Sequence, residues 1–377
     1  HPHECSSAAS DVYKRQILKP QDYMILAERM AYRAIGSTAP NPPVGAIIVK
    51  DEMILARGWT QVNGSPHAEI HAISQVKDKK KLNGATLYTT LEPCSHYGKN
   101  PPCVEKIIKY KFAKVYLSQE DENPKVHGSA VKILKRSGIT VIKKNFSINT
   151  YELNKIFFRS LNKLKPYVTL KIASTSDGKI ATKSFESKWI TNSISRLHGH
   201  KLRAKNDCIL VGSGTISKDN PLLNCRLAGH ENSNTDIFLL DQRLKFKKKL
   251  KIFSLKKRRI FIFYNKNNII KKKIKSATYI GVKVKNNLLD IADMLKKIAE
   301  LGYMRILVEG GSILTGSLIK NDFIDEIQWF RANKIIGGNG LEAISSIGIN
   351  KINDVKRFKL IKNKIFEDDQ LSIYKRI

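Results

Sequence analysis

The chain is poor in cysteine, with five in 377 residues, and it has no apolar run of membrane-spanning length. So few thiols, and an odd number of them, exclude a disulfide framework and point to a reducing cytoplasm. With no apolar signal core and no spanning segment, no membrane partner is expected. Acidic residues are also scarce: 33 Asp and Glu stand against 67 Lys and Arg, a net charge of +34. Such a surplus ordinarily suggests a polyanionic partner. Here, however, Lys, Ile and Asn are abundant together, even in stretches such as Lys247 to Lys251 and Asn265 to Lys275. All three are encoded by AT-rich codons, so the excess reads as compositional drift and no specific nucleic-acid partner is expected. Phosphorylated substrates would still gain from the field. A further absence is a G-x-G-x-x-G turn after a strand with an acidic residue about 20 positions on, which argues against a Rossmann domain.

What is present is organised. The length predicts about two domains, each able to bury its own core. Residues 1–16 are small, polar and aperiodic, and read as a non-native leader. A first domain over 17–164 and a second over 165–377 are expected. In the first, Asp22 can cap a helix through about Ile35 that Gly36 ends. Strands are predicted over Val44 to Val49, Ile54 to Gly58 and Ala85 to Thr90, with a helix over His67 to Gln75. From Cys103 to Ile142 the pattern alternates helix and strand, which gives an α/β three-layer domain.

Within that frame lies a metal-binding pattern. His67-Ala68-Glu69, then Pro93-Cys94 and Cys103, offer one imidazole and two thiolates. Three such ligands leave the fourth tetrahedral position of Zn²⁺ open for water, the ligand count of a catalytic site. Glu69 lies two residues beyond the histidine and suits a proton shuttle rather than a ligand, as in the H-x-E…P-C-x-x-C deaminase signature. The cysteines are nine apart, so a loop is inserted between them. A lone histidine or a pair of cytosolic cysteines is most often structural, and the assignment rests on their joint order with Glu69. His71 and His96 are near enough to be rival ligands.

The second half opens with a helix from Thr150 to about Lys163 and a strand from Tyr167 to Ala173. Ser176-Asp177-Gly178-Lys179 then reads as a turn. Six or more strands with intervening helices predict a second α/β domain. Gly310-Gly311 joins a strand to an apolar helix opening at Ser312, where free backbone N–H groups and the helix dipole favour a phosphate.

These residues carry a family resemblance. Asn41-Pro-Pro-Val-Gly45, His67-Ala-Glu-Ile-His-Ala72, Thr90-Leu-Glu-Pro-Cys-Ser-His96 and Pro101-Pro-Cys103 are similar to the deaminase half of the bifunctional riboflavin-biosynthesis deaminase/reductases, the RibD family. Val168-Thr-Leu-Lys171, Ser187-Lys-Trp-Ile-Thr191, Thr215-x-x-x-Asp219-Asn-Pro221 and Val308-Glu-Gly-Gly-Ser312 resemble its reductase half, which is similar to dihydrofolate reductase in fold. The resemblance implies zinc on His67, Cys94 and Cys103, with Glu69 as the catalytic acid/base. It implies NADPH on Ala173, Trp189, Thr215, Asp219 and the run Gly311, Ser312, Ile313, Leu314, Thr315, Gly316 and Ser317. Substrate contacts fall on Asn41, Lys171, Ser187, Leu223, Arg226 and Glu309, and Glu309 could orient or protonate the opening sugar. The chain departs from the family pattern at Tyr97, Lys99, Asn100, Glu122, Thr175, Ser176 and Gln242.

The implied activity is hydrolytic deamination of 2,5-diamino-6-(5-phosphoribosylamino)pyrimidin-4-one, followed by NADPH reduction of the ribosyl group to ribityl. A phosphorylated pyrimidine is the expected partner, and a homo-oligomer the expected state. A nucleic-acid or tRNA base deaminase would share the zinc site, but it usually has the shorter cysteine spacing and no use for a reductase half. A non-catalytic descendant would have lost His67, Glu69 or a cysteine, and all are present.

Overall fold

The computed structural model describes residues 18–98, 101–123, 127–144, 148–163, 165–229, 235–255 and 257–377. The expected leader, Lys99 and Asn100 lie outside them. Contacts divide the chain into two compact units. One comprises 1–31, 44–59 and 67–150, and the other 32–43, 60–66 and 151–377.

The first unit is built on a five-stranded sheet, with strands β1 (Gly45–Lys50), β2 (Met53–Trp59), β3 (Thr86–Thr89), β4 (Lys114–Leu117) and β5 (Thr140–Lys143). Their order is β2-β1-β3-β4-β5, with β1 antiparallel to both neighbours and β3, β4 and β5 parallel. Helices α1 (Pro20–Ala34), α2 (Ala68–Gln75), α3 (Cys103–Lys109) and α4 (Ser129–Arg136) accompany it. The apolar faces of α1 and the sheet meet around Met24, Ala27, Ile47 and Tyr88. Asp22 does not cap α1 as expected. The helix begins two residues earlier, and the carboxylate instead accepts from Lys19 N at 2.8 Å. Gly36, at φ 85°, provides the expected stop.

Helix α5 (Ile148–Lys163) leads into the second unit. The nine strands of its main sheet run β11-β10-β9-β8-β14-β6-β15-β18-β17, parallel as far as β15 and then antiparallel. They are β6 (Tyr167–Thr175), β8 (Cys208–Val211), β9 (Asp236–Leu240), β10 (Ile260–Asn265), β11 (Thr278–Val282), β14 (Arg305–Val308), β15 (Glu326–Ala332), β17 (Phe358–Phe366) and β18 (Asp369–Arg376). Short pairs add β7 (Lys179–Ala181) with β16 (Leu341–Glu342), and β12 (Val284–Lys285) with β13 (Leu288–Leu289). The helices are α6 (Ser193–Ala204), α7 (Ser213–Asp219), α8 (Ile291–Glu300) and α9 (Ser312–Lys320). All four residues of β8 are buried, as a parallel strand covered on both faces requires. Alternate residues serve opposite cores: Leu210 and Phe238 join α8 and α9, while Ile209 and Val211 join Leu202 of α6. Gly178, at φ 79°, makes the turn the sequence signals between β6 and β7.

Candidate active sites

In the first unit, the N-terminus of α2, the loop after β3 and the N-terminus of α3 bring three side chains together. His67 is the N-cap residue of α2, and Cys103 is the first residue of α3. The Cys103 N–H donates to Cys94 Sγ at 3.2 Å, and Val104 N donates to Cys94 O at 3.3 Å, so the loop is fastened to the helix end. His67 Nδ1 lies 3.3 Å from each sulfur. The ligand atoms of His67, Cys94 and Cys103 all fall within 4.8 Å of one another, the one such group among the described residues. A tetrahedral ion with bonds of about 2.0–2.3 Å separates its ligands by roughly 3.3–3.8 Å. The three donors therefore fit Zn²⁺ in type, and the two His67–sulfur distances fit it in spacing.

Electrostatics favour a thiolate at Cys94. Hydrogen bonding from the Cys103 thiol, helped by His67, holds the Cys94 thiol down at about 4, whereas the Cys103 thiol is pushed up first by donating to Cys94 and then by burial. Glu69, in the first turn of α2, is 3 % exposed and receives Cys103 Sγ at 3.6 Å. Burial raises its pKa, the direction an acid/base shuttle needs. The rival ligands are placed elsewhere. His71 Nδ1 faces the Trp59 N–H at 3.3 Å, and its ring meets Trp59 edge-on, so it serves the α2–β2 contact. His96 stays outside the ligand group.

The second unit contains a cavity of about 500 Å³. Of the residues expected to hold NADPH, Thr215, Asp219, Gly311, Ser312, Ile313, Leu314 and Ser317 line it, together with Ser187 and Gln242. Two helix N-termini open on it: α7 after Gly212 and α9 after Gly311, giving two sets of free N–H groups for a diphosphate. Ala173, Trp189, Thr315 and Gly316 are not in the lining. Thr315 is 1 % exposed, and a Cβ on Gly316 would meet Ser345 Oγ at 2.3 Å, so both face the protein interior. Trp189 is 63 % exposed, with the Arg196 guanidinium 4.4 Å above its ring.

The expected substrate residues Lys171, Leu223, Arg226 and Glu309 fall among a set of charges that the sequence reading missed in part. Arg203, on α6, grips Glu309 through Nε at 2.6 Å and Nη2 at 2.8 Å. Burial alone would raise the Glu309 pKa, but the guanidinium overrides it and holds the carboxyl at about 2. Glu309 is thus held as a carboxylate by Arg203. Burial lowers the Lys171 pKa, against the pull of Glu309. Arg203 and His200 lie three residues apart on one helix face, a spacing visible in the sequence but uninformative until β14 placed Glu309 opposite. Asn41 Nδ2 donates to Gly64 O at 2.9 Å.

A zinc-type deaminase site and a dinucleotide-sized pocket in an α/β reductase fold, carried on one chain, define a bifunctional deaminase/reductase. Residues 18–119 match the cytidine and deoxycytidylate deaminase zinc-binding region, and residues 166–370 match the RibD C-terminal domain. The riboflavin biosynthesis protein RibD of Bacillus amyloliquefaciens is 38 % identical over 88 % of this chain and 90 % of its own length; that of Aquifex aeolicus is 36 % identical over 94 % and 98 %. Among solved structures, Acinetobacter baumannii RibD superposes with a TM-score of 0.84 at 28 % identity, covering 95 % of this chain and 99 % of that one. A Thermotoga maritima diaminohydroxyphosphoribosylaminopyrimidine deaminase/5-amino-6-(5-phosphoribosylamino)uracil reductase gives 0.82 at 31 %, with the same coverage. The chain belongs to the RibD family. It is a riboflavin-biosynthesis enzyme with a zinc deaminase domain and an NADPH-dependent reductase domain, in the cytidine-deaminase-like and dihydrofolate-reductase-like folds expected. The reductase half leaves the nucleic-acid base-deaminase alternative without support. No helix among the described residues is long and apolar enough to cross a membrane.

Proposed function

We propose that the first site, within residues 17–164, deaminates 2,5-diamino-6-(5-phosphoribosylamino)pyrimidin-4-one, and that the second, within 165–377, reduces the ribosyl group of the product to ribityl. The observation that carries the reading is the coexistence of the His67, Cys94 and Cys103 cluster with a cavity bearing two helix N-termini. When bound, Zn²⁺ supplies Lewis-acid activation of water at the first site, and NADPH supplies a hydride at the second. Glu69 takes the proton released as water adds to the pyrimidine and returns it to the departing amine, so that ammonia leaves neutral. Its burial keeps bulk water from competing for that proton.

In the reductase site, Thr215, Asp219 and the start of α9 hold the cofactor, with Gly311 admitting its phosphates to the backbone. Lys171 and Arg226 bind the phosphorylated sugar, Ser187 and Leu223 border it, and Glu309 orients Lys171. Asn41 contacts the pyrimidine substrate. The enzyme works in the cytoplasm as a homo-oligomer. The direct test is a coupled assay with the purified full chain. Ammonia release should require zinc but not NADPH, and NADPH oxidation should require the deaminated product. Oxidation of NADPH by the diamino substrate at an equal rate would overturn the proposed order.

A further inference from the structure

The segment Leu222–Arg226 has no regular secondary structure and holds Leu223 at φ 51°, a left-handed conformation that needs outside support. Three consecutive carbonyls supply it. Arg258 donates to Leu222 O and, through Nη1 at 3.0 Å, to Leu223 O; Arg203 Nη1 donates to Asn224 O at 2.9 Å. His200, 8 % exposed on α6, completes the clamp. Its Nδ1 lies 3.1 Å from Asn224 O, its carbonyl accepts Cys225 Sγ at 3.4 Å, and its Nε2 lies 3.2 Å from Arg226 Nε.

These contacts select one protonation state. A proton on Nδ1 lets the ring donate to Asn224 O, and the Nε2 lone pair then accepts from the Arg226 Nε–H. In the other tautomer, or in the imidazolium, two N–H donors would face each other. With Nδ1 protonated, the Arg226 backbone N–H, 3.3 Å away, cannot donate to it; this tautomer still satisfies two of the three ring contacts, whereas the other satisfies one. The charges facing the ring favour neutrality: burial, Arg203 on its own helix and Arg226 from the loop lower its pKa, opposed by Glu309 after β14. The bond to Nε2 uses Arg226 Nε and not the terminal Nη pair, the edge that grips a phosphate bidentately.

We propose that neutral His200 is a positioning residue for the reductase reaction, aiming the Arg226 guanidinium at the phosphorylated sugar. This rests on the placement of that substrate at Arg226. The test is steady-state kinetics on the full chain with the deaminated phosphoribosylaminopyrimidine and NADPH. His200→Leu removes the acceptor at similar size; KM for the sugar phosphate should rise about tenfold, the value of one charged hydrogen bond, with kcat and the NADPH KM within about twofold. His200→Gln keeps an acceptor near Nε2 and should bring KM back to within about threefold of wild type. Equal changes in kcat and both KM values would mark a merely structural role and overturn the proposal.

A pH series gives a second reading that does not depend on the Leu variant folding. Acidification below the ordinary imidazole range drives His200 toward its protonated form, after the substrate phosphate, whereas glutamine does not titrate. KM should therefore rise more steeply in wild type than in His200→Gln, and superimposable profiles would overturn the proposal. Arg226→Ala separates the two levels of inference. If it leaves KM unchanged, the substrate placement itself is wrong and the proposal falls with it. If it raises KM while His200→Leu does not, only the positioning role is lost.

Discussion

The cluster of His67, Cys94 and Cys103, with Glu69 beside it, is drawn from a stretch of chain between His67 and Cys103, whereas the cavity of the second unit takes its lining from between Ile180 and Leu341. That difference in span reflects what each chemistry demands. A zinc site needs specific donor atoms, which only a few residue types provide, so residue identity and order carry the message. A dinucleotide site needs backbone N–H groups at helix ends and an apolar slot, which many sequences can build. The first site is written in side chains and the second largely in backbone, so single substitutions should affect them to different degrees.

The largest effect belongs to the side-chain site. Glu69→Gln preserves shape and removes the proton shuttle, so deamination should fall by at least about 10²-fold while zinc content and NADPH-dependent reduction stay unchanged. Turnover within a few-fold of wild type would move the acid/base role elsewhere, with buried Glu92 the first alternative. Loss of zinc in that variant would instead make Glu69 part of the ligand shell. Cys94→Ser tests the shell itself: metal content, read by elemental analysis, should drop from about one per chain toward zero, and deamination with it. Reduction of the pre-deaminated substrate should survive, since that chemistry lies in the other unit.

For the backbone-built site the informative change is Gly311→Asp. A Cβ there has its nearest neighbour, Thr215 Oγ1, at 3.9 Å, so the fold has room for it. The added carboxylate, however, sits at the N-terminus of α9 where a cofactor phosphate would approach. The KM for NADPH should rise about 10- to 100-fold, and deamination should be untouched. An unchanged NADPH KM, measured by oxidation at 340 nm, would remove α9 from the cofactor site.

How much could be read in advance follows the same division. The zinc ligands and Glu69 were legible because H-x-E and the cysteine pair fix identity and spacing at once. Thr215, Asp219 and Gly311 to Leu314, which line the cavity, were singled out only through family resemblance, since a Gly-Gly turn alone suits any tight βα connection. Along α9 the carry-over also takes in Thr315 and Gly316, which helical rotation turns inward, away from the cavity lining. Strand β17 went unread because the adjacent apolar pairs Leu360-Ile361 and Ile365-Phe366 break the period of two among its lysines, and the register against β18 shifts at the first of them. Arg203 went unread because a salt bridge spanning 106 residues leaves no local trace.

That Arg203–Glu309 pair gives an effect read on stability and not on turnover, and the one most specific to the second unit. Its carboxyl is held at about 2, below the ordinary 4.5, so the stabilisation is present in full above about pH 4.5 and disappears as pH falls toward 2. A shift of that size corresponds to something on the order of 3 kcal/mol. Glu309→Gln leaves the largely buried Arg203 without its anion and should lower the melting temperature of the reductase transition at pH 7. Because wild type loses the charge on acidification and the variant has none to lose, the gap between them should narrow from pH 5 to pH 3. A gap constant over that range would mean that the guanidinium is balanced by something other than Glu309. The zinc site should show no matching change, since the deaminase transition of the same variant, followed by metal release on heating, has no part in the pair.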